Sequence, residues 1–495
     1  MSHARLIVDP AFVVGDVDPR LYGAFVEHLG RCVYTGIYEP EHPTADADGF
    51  RGDVAELVTE LGVPMLRYPG GNFVSNYRWE DGVGPRNSRP TRLDLAWKSI
   101  ESNAVGTDEF CAWSRRVGSQ PMLAVNLGTR GAEAAAALVE YCNHPGGTYW
   151  SDLRRSNGAP DPHAVKVWCL GNEMDGPWQI GHRSADEYGR LAAQTAQAMR
   201  LVDPSIELVA CGSSGARMPT FPEWDATMLE HCYDYVDYIS LHSYYQERNA
   251  DRASFLACAV DMDRYIEAVV ATADHVRAKG RHKKRVNLSF DEWNVWYSVD
   301  APVERDWERA PRMLEDQYNM VDAVVVGTML ISLLRHADRV RIACLAQLVN
   351  AIGAIRSEPN GPAWRQTIFH PFALASRYGR GVVLQPVITS PCYDTAWFGD
   401  VPVLDAVALR DDDGVTIFAV NRGQQESLPL TVELRAIPGL RRATHTYLGS
   451  EDPLAANTED QPARVVPRTG EDVAVDAGEA AIMLPPLSWN VIRIS

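Results

Sequence analysis

The segment Val165-Lys166-Val167-Trp168-Cys169-Leu170-Gly171-Asn172-Glu173 decides how the rest of the chain is interpreted. A short apolar run rich in Val and Leu predicts a buried strand. The residues that follow Glu173 are Met-Asp-Gly-Pro, which can neither prolong a strand nor begin a regular helix. We therefore expect an amide and a carboxylate side by side at the end of a core strand.

A second carboxylate ends a similar run, Val286-Asn287-Leu288-Ser289-Phe290-Asp291-Glu292. Two carboxylates at one edge of a sheet are the minimum set for acid/base work on a glycosidic bond. The negative charge of Glu292 should raise the pKa of Glu173, which suits a proton donor. A carboxyl separation of about 5–5.5 Å means retention and about 6.5–9.5 Å means inversion; the sequence leaves both open.

Composition and charge narrow the class of protein. A chain of 495 residues predicts one large domain and one smaller one. The net charge of −18 argues against a nucleic-acid or anionic-membrane partner, which needs a basic face. The first ten residues lack the apolar core of a signal peptide. Nine scattered cysteines without a CxxC pair favour buried free thiols, so we expect a cytoplasmic protein.

Eight apolar runs recur along the chain at intervals of a few tens of residues. Their near-continuous hydrophobicity is typical of parallel strands that are covered on both faces. Helical patterns separate them: a capping box at Ser184 opens one helix, and another is expected over residues 314–335. This alternation predicts a (β/α)8 TIM barrel. The predicted strands are residues 22–26, 64–67, 121–126, 165–170, 206–211, 238–242, 286–290 and 342–346.

After about Gly379 the pattern changes to short alternating runs with turn signals, including Asp413-Gly414. This part of the chain predicts an all-β sandwich, jelly-roll-like in type. We expect residues 19–380 to form the catalytic barrel and 381–495 the sandwich. Residues 5–14 also predict strand, so residues 1–18 are expected to join the sandwich.

Polar or ionisable side chains end nearly every predicted barrel strand. The carboxyl ends of the strands form one face of such a barrel, and that face carries the active site. A single polar strand end means little, but a complete ring indicates a site. The ring comprises Glu27-His28, Arg67 with Asn72, Asn126, Asn172-Glu173, Ser213-Ser214, His242 with Tyr244, Glu292, and Gln347 with Asn350.

Tryptophans accompany both carboxylates in the sequence. Trp178 follows Glu173, and Trp293 and Trp296 follow Glu292. Indole rings give the C–H face of a sugar a surface on which to pack, although a tryptophan taken alone is more often part of the core.

Four motifs carry a resemblance to a known family. Residues 171–179, Gly-Asn-Glu-Met-Asp-Gly-Pro-Trp-Gln, resemble the acid/base motif of glycoside hydrolase family 51, the α-L-arabinofuranosidases. Residues 290–297, Phe-Asp-Glu-Trp-Asn-Val-Trp-Tyr, resemble its nucleophile motif. Residues 23–30 and 67–73 are similar to its signatures at the first two strands. The motifs occur in the family's order over essentially the whole chain.

The resemblance implies a retaining, exo-acting enzyme that releases terminal α-L-arabinofuranosyl residues from arabinose-containing saccharides. It implies Glu173 as acid/base, Glu292 as nucleophile and Arg67 as the residue that orients Glu292. It also implies a homohexamer. We expect no cofactor and no metal. Our expectation for His242 is a hydrogen bond to a site carboxylate. The other implied substrate-binding residues are Glu27, Asn72, Trp97, Asn172, Tyr244, Trp296 and Gln347.

Three alternatives stay open at this point. A metal hydrolase has histidines available, but none lies in a ligand spacing such as HExxH. A non-catalytic sugar-binding protein would keep the aromatics and amides without needing two apposed carboxylates. A related retaining enzyme of the same fold could act on β-glucan or xylan.

Overall fold

A computed structural model describes residues 3–298 and 307–495 of the chain. The strands of the first two thirds are β1 (Ala4–Val8), β2 (Val13–Asp16), β3 (Gly23–Phe25), β4 (Met65–Tyr68), β5 (Arg92–Asp94), β6 (Ser99–Glu101), β7 (Gln120–Val125), β8 (Val167–Leu170), β9 (Glu207–Ala210), β10 (Tyr238–Tyr245), β11 (Asn287–Val295) and β12 (Val340–Ala346). The helices are α1 (Gly52–Leu61), α2 (Thr107–Arg116), α3 (Ala132–Asn143), α4 (Tyr149–Ser156), α5 (Ala185–Val202), α6 (Glu223–Cys232), α7 (Arg252–Leu256), α8 (Ala259–Gly280), α9 (Met320–Arg335) and α10 (Phe369–Tyr378).

The remaining strands are β13 (Ile355–Ser357), β14 (Ala363–Arg365), β15 (Val382–Leu384), β16 (Val387–Thr389), β17 (Cys392–Thr395), β18 (Gly399–Pro402), β19 (Leu404–Asp411), β20 (Gly414–Asn421), β21 (Leu428–Leu434), β22 (Arg442–Leu448), β23 (Arg468–Thr469), β24 (Val473–Ala474), β25 (Glu479–Leu484) and β26 (Ser488–Ile494).

Eight parallel strands close into a barrel in the order β3-β4-β7-β8-β9-β10-β11-β12, and β12 pairs with β3. All eight predicted strand runs are therefore confirmed. Side chains that face inward fill the barrel interior, among them Phe25, Met122, Val167 and Ile342. Outward-facing side chains pack under the helices, which explains why the strands are apolar on both faces.

The predicted helix over residues 314–335 begins later, at Met320. The side chain of Asn319 accepts hydrogen bonds from the backbone N–H groups of Val321 and Asp322, so Asn319 caps the helix. Leu314 has φ +53°, which lies outside the right-handed helical region. The helix that the Ser184 capping box predicts is confirmed as α5.

The C-terminal part is a β-sandwich, as predicted. One sheet has the order β16-β1-β21-β25, and the other runs β2-β15-β19-β20-β26-β22-β23 with β24 also on β22. The Asp413-Gly414 signal corresponds to the β19–β20 hairpin, in which Asp411 pairs with Gly414. An apolar core that includes Leu6, Ile417 and Val432 lies between the sheets.

Residues 5–14 form two strands, β1 and β2, in place of the single predicted one. The side chain of Asp9 accepts from the N–H of Ala11, and the Phe12 N–H donates to the Asp9 carbonyl, so the chain turns here. Strand β1 pairs with β16 and β21, and β2 pairs with β15. Both N-terminal strands thus belong to the sheets of the sandwich.

A β-bulge interrupts β11 between Ser289 and Glu292. Ser289 and Glu292, three residues apart, pair with Ser240 and His242 of β10, which are only two apart. The pairing of β11 with β12 gains one residue in the same place. A bulge breaks the alternation of side chains between the two faces of a strand.

The structure also tests the expectations about the cysteines and about membrane-spanning helices. All nine cysteines are free; eight are buried, and Cys392 is exposed on β17, contrary to the expectation of burial. Within the described residues, no helix combines the length and the apolar character that crossing a membrane requires.

Candidate active site

Arg67 links the two carboxylate-bearing strands from inside the barrel. It lies on β4 and is fully buried. One terminal nitrogen, Nη1, donates to Glu292 Oε1 at 2.7 Å, and the other, Nη2, donates to Asn172 Oδ1 at 2.7 Å. A charge-assisted bond from a planar guanidinium fixes both the charge and the angle of a carboxylate. Glu292 is thereby held in one orientation beside the amide of Asn172.

The second oxygen of Glu292 is also held. The Tyr244 hydroxyl donates to Oε2 at 2.8 Å. Burial raises the pKa of Tyr244 well above its usual value, so this hydroxyl keeps its proton and remains a donor. The ring of Tyr244 meets the indole of Trp296 edge-on, with centroids 5.0 Å apart.

Glu173 lies just past the end of β8 in an unusual backbone conformation, with φ +43°. Few residues other than glycine adopt this region, and such strain concentrates at functional sites. Its Oε1 lies 2.9 Å from His242 Nδ1, and the Trp178 indole N–H donates to Oε2 at 2.6 Å. Burial raises the pKa of Glu173 above its ordinary value; the charge of Glu292 adds to this, and the His242 contact opposes it.

His242 is surrounded by acidic groups. Its Nε2 lies 3.3 Å from Asp291 Oδ1, and its Nδ1 lies 3.6 Å from Glu292 Oε2 as well as close to Glu173. Burial by itself lowers the pKa of His242, but the negative charges of Glu292, Asp291 and Glu173 outweigh it and raise the pKa to about 10. The side chain is therefore an imidazolium at neutral pH, with hydrogen on both ring nitrogens.

The two carboxylates approach each other beside Nδ1 of this imidazolium. One carboxylate oxygen each of Glu173 and Glu292 and a nitrogen of His242 all lie within 4.8 Å of one another. Three such groups can also hold a metal ion in principle. Here, however, the protonated imidazole offers no lone pair, and Arg67 already lies against Glu292.

Glu27 forms the opposite wall of the site. Its Oε1 accepts from the backbone N–H of Phe73 and from the indole of Trp97, both at 3.0 Å. Its Oε2 accepts from Gln347 Nε2 at 3.1 Å. Burial raises the pKa of Glu27 to about 7, with the charge of Glu292 adding to the effect. At neutral pH this carboxyl can both donate to and accept from a hydroxyl.

The Gly70-Gly71 pair brings backbone into the centre of the site. A Cβ on Gly71 would lie 3.1 Å from Glu292 Oε1 and 3.3 Å from Asn172 Nδ2. Only glycine leaves this space open for a ligand. Asn72 follows in the one-turn helix Asn72–Asn76, and its Oδ1 lies 3.5 Å from Asn172 Nδ2.

All eleven predicted site residues thus meet at the carboxyl face of the barrel. Comparisons with known proteins identify the family. Residues 57–264 match the family model described as the α-L-arabinofuranosidase 1 domain, and residues 291–488 match the α-L-arabinofuranosidase C-terminal domain. An intracellular exo-α-(1→5)-L-arabinofuranosidase of Streptomyces lividans is 58% identical over 100% of this chain and 75% of its own length. The chain belongs to the family 51 α-L-arabinofuranosidases.

A second sequence relative and a solved structure resemble this family 51 chain over its full length. A protein of the same description from Halalkalibacterium halodurans is 57% identical over 99% of both chains. The solved structure of AbfB, a family 51 α-L-arabinofuranosidase from Bifidobacterium longum, superposes with a TM-score of 0.95 at 47% identity, covering 100% of both chains. The barrel and the sandwich are therefore shared with this family 51 structure over their full length.

One residue of this family 51 site was absent from the predicted set. Asp291 is buried between Arg67, whose Nε lies 3.5 Å away, and His242. Strict alternation along β11 puts Asp291 and Glu292 on opposite faces, whereas the bulge turns both into the barrel. The sequence shows that Asp291 and Glu292 are adjacent acids, but it does not show the bulge that brings both into the site.

The three tryptophans near the carboxylates divide between site and core. Trp178 hydrogen-bonds Glu173, and Trp296 contacts Tyr244. Trp293 is fully buried and stacks on Phe372 of α10, with centroids 6.5 Å apart. The expectation that Trp293 offers a sugar-binding surface is wrong, because its position after the bulge points it outward under the helices.

Proposed function

We propose that this family 51 α-L-arabinofuranosidase releases terminal α-L-arabinofuranosyl residues by a retaining double displacement, with Glu292 as nucleophile and Glu173 as acid/base. The observation that carries the proposal is that one carboxylate oxygen of Glu173 lies within 4.8 Å of one of Glu292, with both carboxylates near Nδ1 of His242. Retaining enzymes need carboxyl groups about 5–5.5 Å apart, and inverting enzymes leave a wider gap for water.

In the first step, a Glu292 oxygen bonds to the anomeric carbon as the glycosidic bond breaks. The proton of Glu173 passes to the departing oxygen. Arg67 and Tyr244 hold Glu292 at an angle that leaves it ready to attack. The raised pKa of Glu173 favours the protonated form that a proton donor needs.

In the second step, Glu173 takes a proton from water, the water oxygen bonds to the anomeric carbon, and Glu292 leaves. Once Glu292 is esterified, its negative charge is gone, and the charge that raises the pKa of Glu173 disappears with it. The same carboxyl can then act as a base. Two displacements on one carbon leave its configuration unchanged.

The remaining residues bind the sugar under this proposal. Glu27, Gln347 and Asn172 present polar atoms to its hydroxyls, with Asn72 beside them. The indoles of Trp97 and Trp296 reach the site from different strand ends and serve as apolar walls. A ring of side chains that encloses one sugar supports exo action on a chain end over cleavage within a polymer.

We propose α-(1→5) as the preferred linkage, because the two relatives at 58% and 57% identity carry that linkage in their names. Those relatives are also named intracellular, which supports the same location here. We propose a homohexamer on the family resemblance; light scattering should give six times the 54.8-kDa chain mass. The strand pairings support domain bounds of 1–18 with 381–495 for the sandwich and 19–380 for the barrel.

Hydrolysis of a panel of aryl glycosides tests the function, with the anomer of the first product followed by NMR. We expect the α-L-arabinofuranoside to be cleaved much faster than β-glucosides or β-xylosides, with initial release of the α-anomer. Lack of activity on the arabinofuranoside would overturn the substrate. Initial release of the β-anomer would overturn the mechanism and leave the substrate in place.

A further inference from the structure

Asp291 is shared by the two cations of the site. It comes directly before Glu292 in the bulge of β11 and is buried. Its Oδ1 lies 3.3 Å from His242 Nε2, and its Oδ2 lies 3.5 Å from Arg67 Nε. The carboxylate thus turns one oxygen toward each cation.

The same two cations hold the two catalytic carboxylates with their other nitrogens. His242 Nδ1 lies 2.9 Å from Glu173 Oε1. Arg67 Nη1 donates to Glu292 Oε1 at 2.7 Å. Asp291 therefore reaches both carboxylates through the imidazolium and the guanidinium that lie against them.

The nitrogens that face Asp291 have little else to pair with. Among the described residues, neither His242 Nε2 nor Arg67 Nε has a hydrogen-bond partner of regular geometry. Their distances to Asp291 exceed those of strong charge-assisted hydrogen bonds, so Asp291 acts mainly through its charge. Its Oδ2 also accepts from the Cys169 thiol at 3.7 Å. Loss of the charge would leave two buried cations poorly compensated, which is unfavourable.

The charges of this cluster balance. Arg67 and His242 carry two positive charges, and Asp291 and Glu292 carry two negative ones. A further negative charge on Glu173 would have no counter-ion, which favours its protonated form. When the sugar esterifies Glu292, one negative charge is lost, and an ionised Glu173 restores the balance. Within this cluster, Asp291 is the anion that keeps its charge in both steps.

We propose that Asp291 is a positioning residue of the reaction. It holds the His242 ring against Glu173, and it holds the Arg67 guanidinium against Glu292. Its constant negative charge sets the balance that lets Glu173 give and then take a proton. This inference rests on the proposed function, because the proton transfer belongs to the double displacement.

The other titratable side chains around the cluster are held by other means. Burial raises the pKa values of the surrounding thiols and phenols, so these groups stay uncharged at neutral pH. Asp175 accepts from the Ser214 N–H at 3.1 Å, and Glu27 accepts from the Phe73 N–H at 3.0 Å. A change in the pH profile on altering Asp291 therefore reports on Glu173 and His242. The surrounding groups are Glu27, Cys169, Asp175, Cys211, Tyr244, Tyr265 and Cys344.

Asp291→Asn tests the proposal, because the amide keeps the shape of the side chain and removes its charge. The substrate is α-(1→5)-linked arabinobiose, whose leaving group needs a proton. We expect the basic limb of the kcat/KM profile to move to lower pH by about one unit, because loss of a nearby negative charge lets the His242–Glu173 pair release a proton more readily. This direction is opposite to that expected for His242→Gln. We also expect kcat to fall about tenfold or more.

Two controls separate the charge from the packing. Asp291→Glu keeps the charge and should keep the wild-type position of the basic limb even though kcat falls; it also decides the question if Asp291→Asn does not fold. Asp225→Asn removes another buried carboxyl, on α6, whose described hydrogen bonds go to Ser213. It should leave the pH profile unchanged. Thermal melts check the folding of every variant.

A double variant tests whether Asp291 acts on Glu173 through His242. In the His242→Gln background, Asp291→Asn should add little to the shift of the basic limb, since the ring that carries the effect is absent. A basic limb that stays in place or moves to higher pH in Asp291→Asn, or one that moves to lower pH in Asp291→Glu, overturns the proposal. Failure of the wild type on arabinofuranosides overturns the proposed function instead, so the two failures are distinguishable.

Discussion

His242 Nδ1 lies 2.9 Å from Glu173 Oε1, so the imidazolium N–H donates a hydrogen bond to the proposed proton donor. This cation stabilises the ionised form of Glu173 and works against the burial that raises its pKa. Two opposing effects thus set the pKa of Glu173: burial raises it, and the positive charge of His242 lowers it. Catalysis in both steps depends on this balance, because the same carboxyl must give and then take a proton.

His242→Gln should move the basic limb of the pH profile to higher pH. The change removes a positive charge that lowers the pKa of Glu173, so the acid form persists further into the basic range. We expect a shift of about one pH unit in kcat/KM for an aryl arabinofuranoside, the usual scale for loss of one close charge. A downward shift would show that His242 acts on Glu173 in another way.

The stability cost of the same substitution should depend on pH. The folded-state pKa of His242, about 10, lies above the ordinary value of 6.5. Its contribution to stability is therefore complete below about pH 6.5 and fades as the pH rises toward 10. Urea denaturation of wild type and variant should show a larger difference at pH 6 than at pH 9.5. An equal difference at both values would contradict the raised pKa.

Azide should distinguish the two carboxylates. Glu173→Ala lacks the base of the second step, so azide should restore turnover of an aryl arabinofuranoside and give the α-azide. In Glu292→Ala, azide should attack directly from the opposite face and give the β-azide. Without azide we expect losses of about 10²-fold or more in each variant. NMR of the products reads the configuration, and exchanged outcomes would reverse the two roles.

Arg67→Lys should lower kcat more than it raises KM. Lysine keeps the charge but cannot reach Glu292 and Asn172 at once with two fixed donors. Loss of one charge-assisted hydrogen bond costs about 1.5–3 kcal/mol, or roughly 10–100-fold in kcat/KM. Steady-state kinetics measures the effect, and a thermal melt controls for folding. Wild-type kcat in this variant would mean that Glu292 needs no such positioning.

Activity should survive a strong chelator. The Glu173, His242 and Glu292 side chains lie close enough to bind a metal, but His242 is protonated at neutral pH and Arg67 neutralises Glu292. Prolonged treatment with EDTA should leave kcat/KM unchanged. Loss of activity that added Zn²⁺ or Mn²⁺ restores would replace the acid/base roles with a metal mechanism.

Much of the fold could be predicted because its signals are local. Apolar runs in residues 165–170 and 342–346 mark strands that are covered on both faces, and the Ser184 capping box marks the start of α5. The start of α9 at Met320 could not be predicted, because the apolar pattern already begins at Leu314. In the structure Leu314 has a left-handed backbone conformation, and the helix begins only after the Asn319 cap. The turn at Asp9 likewise divided a predicted strand.

The sequence by itself determined which residue types stand at the strand ends, since strand length and polar termini are local properties of the chain. Only the tertiary structure decided how these residues act together. The β11 bulge turns both Asp291 and Glu292 inward and sends Trp293 to the core. The raised pKa of His242 depends on three charges, from Glu173 and from the adjacent Asp291 and Glu292, that come together only once the barrel has closed.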